Sequence, residues 1–159
     1  YGDHRDLHRV DRRQRQMCIR DRFNIPYAIA YFYNVYGERE ISTGKYATLI
    51  ALFKEISRKG EPLTVVKPGS QRRNFTHIDD IINGLVLIGN EGFGDEFGIG
   101  SMESFTVLEI AQMFGGEIIM IPERKGNRMS AEVMVEKIQS LGWECKNSVK
   151  DYINDFKNK

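Results

Sequence analysis

The amino-acid sequence predicts an α/β fold for residues 23–159. The first observation is a continuous apolar run, Tyr27–Tyr33, which has the length of a strand but no alternation of apolar and polar residues. Such a strand is covered on both faces, as in a parallel sheet flanked by helices. The second observation is that stretches with helical spacing of apolar residues alternate with further short strand-like runs. Together these patterns indicate helices packed on a sheet that is at least partly parallel.

Composition bounds the class of protein. A chain of 159 residues is long enough for one domain with a core, and 41% hydrophobic and 28% charged residues are ordinary for a globular protein. No apolar run has the length of a membrane span and no signal-peptide pattern opens the chain. The net charge of +1 gives no reason to expect nucleic acid as a partner. Two cysteines are too few for a disulfide scaffold or a zinc site, and a reducing cytoplasm fits.

Residues 1–22 differ from the rest of the chain. They hold seven arginines, no lysine and a net charge of +3, whereas residues 23–159 carry −2. Because this leader has almost no apolar residue and no period, we expect it to be disordered. One interpretation is a basic arm that binds RNA or anionic lipid. We favour a non-native leader, since Met17–Arg22 resembles a sequencing-library transposon adapter translated in frame, and the genuine chain then begins near Phe23.

The elements after the first strand follow from spacing and from helix-end signals. Five apolar residues recur at helical spacing between Tyr46 and Ile56, and Lys59-Gly60 ends that helix. A strand over residues 61–66 follows. Later, Thr106–Glu109 forms a capping box for a helix that runs to Phe114, and residues 117–121 form a strand. Two more helices are predicted, one capped by Ser130 with Val133, Met134, Ile138 and Leu141 facing inward, and one capped by Ser148 and ending near Phe156.

The stretch from Gln71 to Ile81 organises the rest of the chain. Phe75–Ile78 alternates large and polar residues and reads as a strand, and Asp79 stands at a natural helix N-cap. Arg73 is therefore placed beside a strand–helix joint, and arginine is the side chain best shaped to bind phosphate with two parallel hydrogen bonds. A plain surface arginine is the competing interpretation. The apolar face of the following helix is predicted to consist of Ile81, Ile82, Leu85, Val86 and Ile88.

Several segments resemble motifs of the extended short-chain dehydrogenase/reductase family, the NAD-dependent nucleotide-sugar epimerases and dehydratases. Residues 73–81 resemble its R-D-F-x-x-V-D-D-V signature, and residues 31–38 resemble its R-Y-F-N-x-Y-G-P segment. Gly60–Val65 and Leu141–Trp143 resemble its G-E-P-L-T-V and L-G-W strings. The resemblance implies the C-terminal part of a Rossmann-like, doubly wound fold with the small substrate-binding subdomain. The cofactor half that opens such a fold is missing from the sequence.

The resemblance also implies roles for individual residues. It places Asn34 on the diphosphate of a sugar nucleotide, and Phe32 and Tyr33 in the wall of the cofactor site, although core packing is a serious competitor for the two aromatic rings. It places Arg73 on the same diphosphate. Tyr46 is also assigned to substrate binding.

A second arginine completes this implied clamp. Pro122–Asn127 resembles the family's P-x-R-x-G-D segment, whose arginine grips the nucleotide diphosphate, so Arg124 and Asn127 are assigned to substrate binding. Asn127 replaces the acidic residue of the motif, which puts contacts to ribose or base in doubt more than the phosphate contact. Without the resemblance, a loop with three positive charges reads as solvated surface.

Two motifs of the family are absent. The sequence contains no G-x-x-G-x-x-G turn after a strand and no Y-x-x-x-K pair. We therefore assign no catalytic residue and no metal ligand, treat His77 as structural, and expect this chain to be inactive by itself. The intact parent would use NAD on a UDP-, dTDP- or GDP-sugar, without nucleic acid or membrane as partner, and a homodimeric parent is compatible with the family. The alternative is a stand-alone, non-catalytic sugar-nucleotide-binding or structural domain.

Overall fold

The computed structural model of the chain describes residues 22–123 and 133–158. Strands and helices alternate through most of this range, as the sequence predicts. Within it, no helix is both long and apolar enough to cross a membrane. The strands are β1 (Ala28–Phe32), β2 (Val35–Tyr36), β3 (Leu63–Val66), β4 (Arg72–Asn74), β5 (Thr76–His77), β6 (Gly94–Ile99), β7 (Ser104–Thr106) and β8 (Ile118–Ile121); the helices are α1 (Leu49–Arg58), α2 (Ile78–Glu91), α3 (Val107–Phe114), α4 (Glu136–Gln139) and α5 (Val149–Lys157).

The strands pair two by two, and three of the four pairs are parallel. The parallel pairs are β1 with β6, β2 with β5, and β3 with β8, while β4 and β7 are antiparallel. Each parallel pair joins strands that are distant in sequence, and α2 connects β5 to β6 directly. The prediction of an α/β fold with parallel strands is confirmed.

Two separate hydrophobic clusters hold these elements. The first lies among α1, α3, α5 and the β3–β8 pair, and it buries Phe53 and Ile110 completely. The second lies between α2, α4 and the β1–β6 pair, and it buries Ile99 and Ile138 completely. The glycine at position 84 of α2 permits the close packing of the second cluster, since a Cβ there would lie 3.0 Å from Ile99 and from Ile138.

The helix starts show where local chemistry decides the fold. The predicted capping box of α3 is present: the Glu109 N–H donates to Thr106 Oγ1 at 3.0 Å, and the Thr106 N–H donates to the Glu109 carboxylate at 2.6 Å. Ser148 caps α5 as predicted, accepting from the Lys150 N–H. The prediction that Asp79 caps α2 is wrong. The cap is His77, whose Nδ1 accepts from the Asp79 N–H at 3.3 Å, so Asp79 lies within the first helical turn.

The predicted apolar face of α2 is only partly buried. Ile81 and Ile88 lie in the second cluster, but Ile82, Leu85 and Val86 are 49%, 40% and 58% exposed. The five residues occupy too wide an arc of the helix for all of them to pack against the β1–β6 pair. Within the described chain, no other element covers the remaining three. The prediction of five inward-facing residues is therefore wrong for three of them.

The helix predicted after Ser130 differs from the observed one. Ser130 lies outside the described residues, and the described helix, α4, is the single turn Glu136–Gln139. Val133 and Ile138 are buried as predicted, whereas Met134 is exposed. Residues 133–135 belong to no helix or strand, and the Met134 backbone lies against Gly98 of β6, where a Cβ would come within 1.8 Å of the Met134 carbonyl oxygen.

Candidate functional site

The residues beyond the end of β1 lie directly beside the strand that carries Arg73. Asn34 Nδ2 donates to the Asn74 carbonyl at 3.1 Å, and the Thr76 N–H donates to the Asn34 carbonyl at 3.3 Å. Asn34 has a φ of +28°, a value that asparagine tolerates better than most residues and that is often found at functional sites. The structure therefore brings Asn34 and the Arg73 segment together, although 40 residues separate Asn34 from Asn74 in sequence.

The two neighbouring arginines of β4 are held differently. Arg72 is exposed and is tied to β7, where its guanidinium donates to the hydroxyl and the carbonyl of Ser104. Arg73 is half-buried, and its Nη1 donates to the Arg72 carbonyl at 2.8 Å. Because successive residues of a strand point to opposite faces, the two guanidinium groups leave β4 on different sides.

Asn74 stands where the family signature has aspartate, and its environment explains the difference. It is buried, and its Nδ2 lies 2.9, 3.4 and 3.2 Å from the carbonyl oxygens of Ser101, Met102 and Glu103. An ionised carboxylate has no hydrogen to donate to these oxygens, whereas an amide has two. The buried Thr76 hydroxyl accepts from the Ser101 N–H at 3.0 Å. Sequence reasoning missed this network; the asparagine that stands in place of the signature's aspartate is the signal that could have indicated it.

The two aromatic residues assigned to a cofactor wall are placed differently. Phe32, at the carboxyl end of β1, is 51% exposed. Tyr33 packs against the second hydrophobic cluster, and its hydroxyl accepts from the Met134 N–H at 3.2 Å. A Cβ on Gly100 would lie 2.6 Å from the Tyr33 ring, so glycine at that position makes room for it. Phe32 thus offers an open ring face at this edge, and Tyr33 supports the strand from the other side.

The remaining assigned residues are not joined to this edge by a described contact. Tyr46 is 77% exposed, in the segment before α1, and no hydrogen bond or ring contact links it to Asn34 or Arg73 within the described residues. Arg124 and Asn127 lie outside the described residues. In the part of the chain that the structure describes, no group of three His, Cys, Asp or Glu side chains is arranged to hold a metal ion.

A buried carboxylate at the start of α2 fixes the segment that follows Trp143. Asp80 is 1% exposed, and its carboxylate accepts from the Lys146 and Asn147 N–H groups and from Asn147 Nδ2, all within 3.2 Å. The Cys145 thiol also donates to it at 3.4 Å. Burial and the Asp80 charge raise the pKa of this thiol to about 11, so it stays protonated as a donor at neutral pH.

The Asp80 charge also contributes to the pKa of Tyr36, a fully buried residue of β2, two positions after Asn34. Burial is the main cause that raises the pKa of the Tyr36 hydroxyl, and Cys145 and Asp80 add to it. The hydroxyl donates to the Asn147 carbonyl at 3.4 Å. Tyr36 therefore serves the fold as a neutral, packed ring.

Comparison with known proteins gives one family. The model of the NAD dependent epimerase/dehydratase family matches residues 14–100, more than half of the chain. The match begins inside the segment 1–22, so a boundary of the native chain near Phe23 stays a prediction. The chain is 29% identical to a putative UDP-glucose 4-epimerase of Methanocaldococcus jannaschii, over 86% of the chain and 47% of that protein. It is 30% identical to UDP-glucuronic acid decarboxylase 1 of Danio rerio, over 73% of the chain and 29% of that protein.

The solved structures agree with this in fold. The UDP-glucose 4-epimerase of Thermotoga maritima, determined with UDP-glucose, superposes with a TM-score of 0.81 at 24% identity, over 88% of this chain and 47% of that one. The UDP-glucose 4-epimerase of Thermus thermophilus, determined in complex with NAD, gives a TM-score of 0.79 at 19% identity, over 91% and 51%. The predicted Rossmann-like relationship is confirmed, and the chain spans about half of these two structures but only 29–47% of the two relatives named above.

Proposed function

We propose that this chain, which belongs to the NAD-dependent epimerase/dehydratase family, forms the sugar-nucleotide-binding part of such an enzyme. The observation that carries the proposal is the hydrogen bond from Asn34 to the Asn74 carbonyl, because it holds an amide and the Arg73 segment at one strand edge. Open α/β sheets bind ligands beyond the carboxyl ends of their strands, where Asn34 lies. Since the relatives are described as epimerases and decarboxylases, we do not favour the stand-alone, non-catalytic alternative.

The chemistry of this edge suits a diphosphate. Arg73 carries a permanent charge and a planar set of donors, and Asn34 keeps a second amide hydrogen for a phosphate oxygen. The strained backbone at Asn34 and its bond to Asn74 fix the direction of that amide before a ligand arrives. Arg124 and Asn127, which lie outside the described residues, are proposed on the motif resemblance as further ligands of the same diphosphate. The substrate class is a UDP-, dTDP- or GDP-sugar.

The residues present fit one wall of an NAD site. Phe32 presents a half-exposed ring at the carboxyl end of β1, with Tyr33 packed behind it, but the sequence holds no glycine-rich turn for the pyrophosphate. When bound, NAD supplies the transient oxidation of a sugar carbon and the return of the hydride. The contribution of this chain is to orient the sugar nucleotide against that cofactor. A cytoplasmic location and a homodimeric enzyme belong to the same proposal.

Binding and catalysis are separable in this proposal. A Y-x-x-x-K pair is absent from the 159 residues, and the loss of an acid–base group typically lowers a rate by about a hundredfold to ten-thousandfold. We therefore expect the purified chain to convert no UDP-glucose, with or without added NAD. Product formed in a coupled assay would contradict this part of the proposal.

The binding claim is tested by titrating UDP-glucose into two matched variants. Arg73→Ala removes the proposed diphosphate ligand, and Arg72→Ala removes an equal charge from the opposite side of the same strand. Loss of a hydrogen bond to a charged group costs about 1.5–3 kcal/mol. Calorimetry should therefore show the dissociation constant rising about tenfold to a hundredfold for Arg73→Ala and changing little for Arg72→Ala.

Two outcomes of these titrations would overturn the proposal. Equal losses for both variants would mean that the arginines act through general charge or through the stability of β4. An unchanged affinity in Arg73→Ala would remove the diphosphate site and leave only the relationship in fold. Thermal unfolding of each variant checks that the antiparallel β4–β7 pair survives the substitution.

A further inference from the structure

A second concave site lies away from the Asn34 edge. It is a cavity of about 840 Å³ between the segment 37–42, helix α1 and helix α5, and neither Asn34 nor Arg73 lines it. Its floor is formed where Gly37 lies against Ile78, since a Cβ on Gly37 would be 2.6 Å from the Ile78 side chain. A cavity of this volume is in the range that holds small metabolites.

Four cations line this cavity, and the two on α1, Lys54 and Arg58, have no counter-ion among the described residues. Lys54 is half-buried, its Nζ donates to the Tyr152 hydroxyl at 2.7 Å, and it lies 4.7 Å from the centre of the Tyr152 ring. Arg58, one turn further along α1, lies over the Phe156 ring at 5.2 Å. Among the described residues, no carboxylate lies within ion-pair distance of either cation. Arg58 is exposed, and two like charges four residues apart on a helix repel each other.

The acidic residues around the cavity fall into two groups. Glu40, Glu55 and Asp79 already bind groups of the protein: Glu40 accepts from the Gly37 N–H, Glu55 pairs with Lys59, and Asp79 pairs with His77. Glu38, Asp151 and Asp155 are exposed, without such partners among the described residues, and the two aspartates each precede one of the two aromatic residues of α5. The cavity therefore offers free donors on α1 and free acceptors on α5, with aromatic rings between them.

We propose that this cavity binds a phosphorylated, hydroxyl-rich small molecule of the sugar phosphate class. The phosphoryl group bridges Lys54 and Arg58, which supply the charge-assisted hydrogen bonds that phosphate prefers. The hydroxyl groups donate to Asp151 and Asp155, and the apolar face of the ligand lies on Tyr152. Inorganic phosphate alone would give Asp151 and Asp155 no hydroxyl group to accept from. An uncharged polyol would bring no negative charge to Lys54 and Arg58. This site goes beyond the proposed sugar-nucleotide site and does not depend on it.

The test titrates the full chain with glucose 6-phosphate, inorganic phosphate and glucose, followed by amide resonances in two-dimensional NMR. We expect glucose 6-phosphate to bind with a dissociation constant on the order of 1 mM or tighter, and phosphate and glucose to bind more weakly. Lys54→Gln and Arg58→Gln should each weaken glucose 6-phosphate about tenfold or more. Lys54→Arg, which restores the charge, should recover part of the affinity. Asp151→Asn should weaken glucose 6-phosphate but not phosphate.

Lys59→Gln is the matched control, because Lys59 neighbours Arg58 on the chain but pairs with Glu55 and does not line the cavity. It should leave binding unchanged. The proposal is overturned if glucose 6-phosphate binds no more tightly than phosphate, or if the Lys54 and Arg58 variants that retain the wild-type melting temperature bind as well as the Lys59 variant. UDP-glucose binding at the other edge should be the same in all of these variants, so failure of one site is distinguishable from failure of the other.

Discussion

The two hydrophobic clusters differ in how completely the described chain encloses them. In the first, α1 directs Ile50, Ala51 and Phe53 inward, and α5 directs Val149 and Ile153 inward. In the second, α2 buries Ile81 and Ile88 and leaves a row of large aliphatic side chains on its outer face, Ile82, Leu85 and Val86. The helices of the first cluster therefore bury their apolar faces within the described chain, whereas α2 in the second cluster keeps a second, exposed apolar face.

This difference has an energetic meaning. Full burial of a large aliphatic side chain contributes about 1.5–3 kcal/mol to the free energy of unfolding. Because three such side chains on the outer face of α2 stay largely exposed, the described chain lacks several kcal/mol of this stabilisation. Contiguous apolar residues on a surface commonly mark an interaction site. The first region should therefore carry most of the stability of the isolated chain.

The largest expected effect compares two isoleucines on helices. Ile50→Ala removes a side chain that is 1% exposed in the first cluster and should lower the free energy of unfolding by about 2–5 kcal/mol. Ile82→Ala removes a half-exposed side chain from α2 and should change it by about 0.5 kcal/mol. Urea denaturation of both variants provides the measurement. Equal losses would contradict the contrast, because they would mean that the outer face of α2 is covered in solution.

The next largest expected loss of stability is in the second region, where the Asp80 carboxylate is replaced. Asp80→Asn replaces one acceptor oxygen by an amide that faces backbone N–H groups, and the resulting unsatisfied donors should cost about 1–3 kcal/mol. The control is Asp79→Asn, the adjacent exposed position, which should change the free energy of unfolding much less. If the two variants denature alike, the Asp80 network does not hold the 145–147 segment in place.

Local signals in the sequence were sufficient for the helix starts whose chemistry is contained in four residues. The capping box at Thr106 and the cap at Ser148 could be predicted because the partners in each lie at most three residues apart in sequence. The cap of α2 could not, since aspartate is the commoner cap. The choice of His77 depends on its position at the end of β5, where it also packs against Tyr36 and Tyr152.

Longer-range features escaped sequence reasoning for a different reason. The spacing of apolar residues predicts that Ile82 and Leu85 belong to an apolar face of a helix, but it does not show whether another element covers that face. Motif resemblance selected Asn34 and Arg73 separately, whereas their proximity depends on the position of β4 beside the end of β1. The cavity between α1 and α5 left no motif at all, because its lining comes from segments more than 90 residues apart, as the 98-residue separation of Lys54 from Tyr152 shows. The disordered, non-native leader at 1–22 stays a prediction.

The smallest expected effect concerns acid stability in the first region. The Thr106 N–H lowers the pKa of the Glu109 carboxyl below its ordinary value of 4.5. Because the folded-state pKa is lowered, the stabilising contribution is present above the unfolded value and is lost as the pH falls through the folded one. Glu109→Gln should therefore reduce the difference in stability between pH 7 and pH 3, measured by thermal unfolding. An identical pH profile in the variant would show that the capping box does not form in solution.

Sugar nucleotides are proposed to bind at the edge where Asn34 meets the Arg73 segment. The most direct measurement is the change in backbone and side-chain amide resonances of the full chain when UDP-glucose is added. We expect the largest changes at Asn34, Arg73, Asn74 and Ser101 and none in the α1–α5 cavity. No change at saturating ligand, or changes confined to the cavity or the outer face of α2, would contradict it.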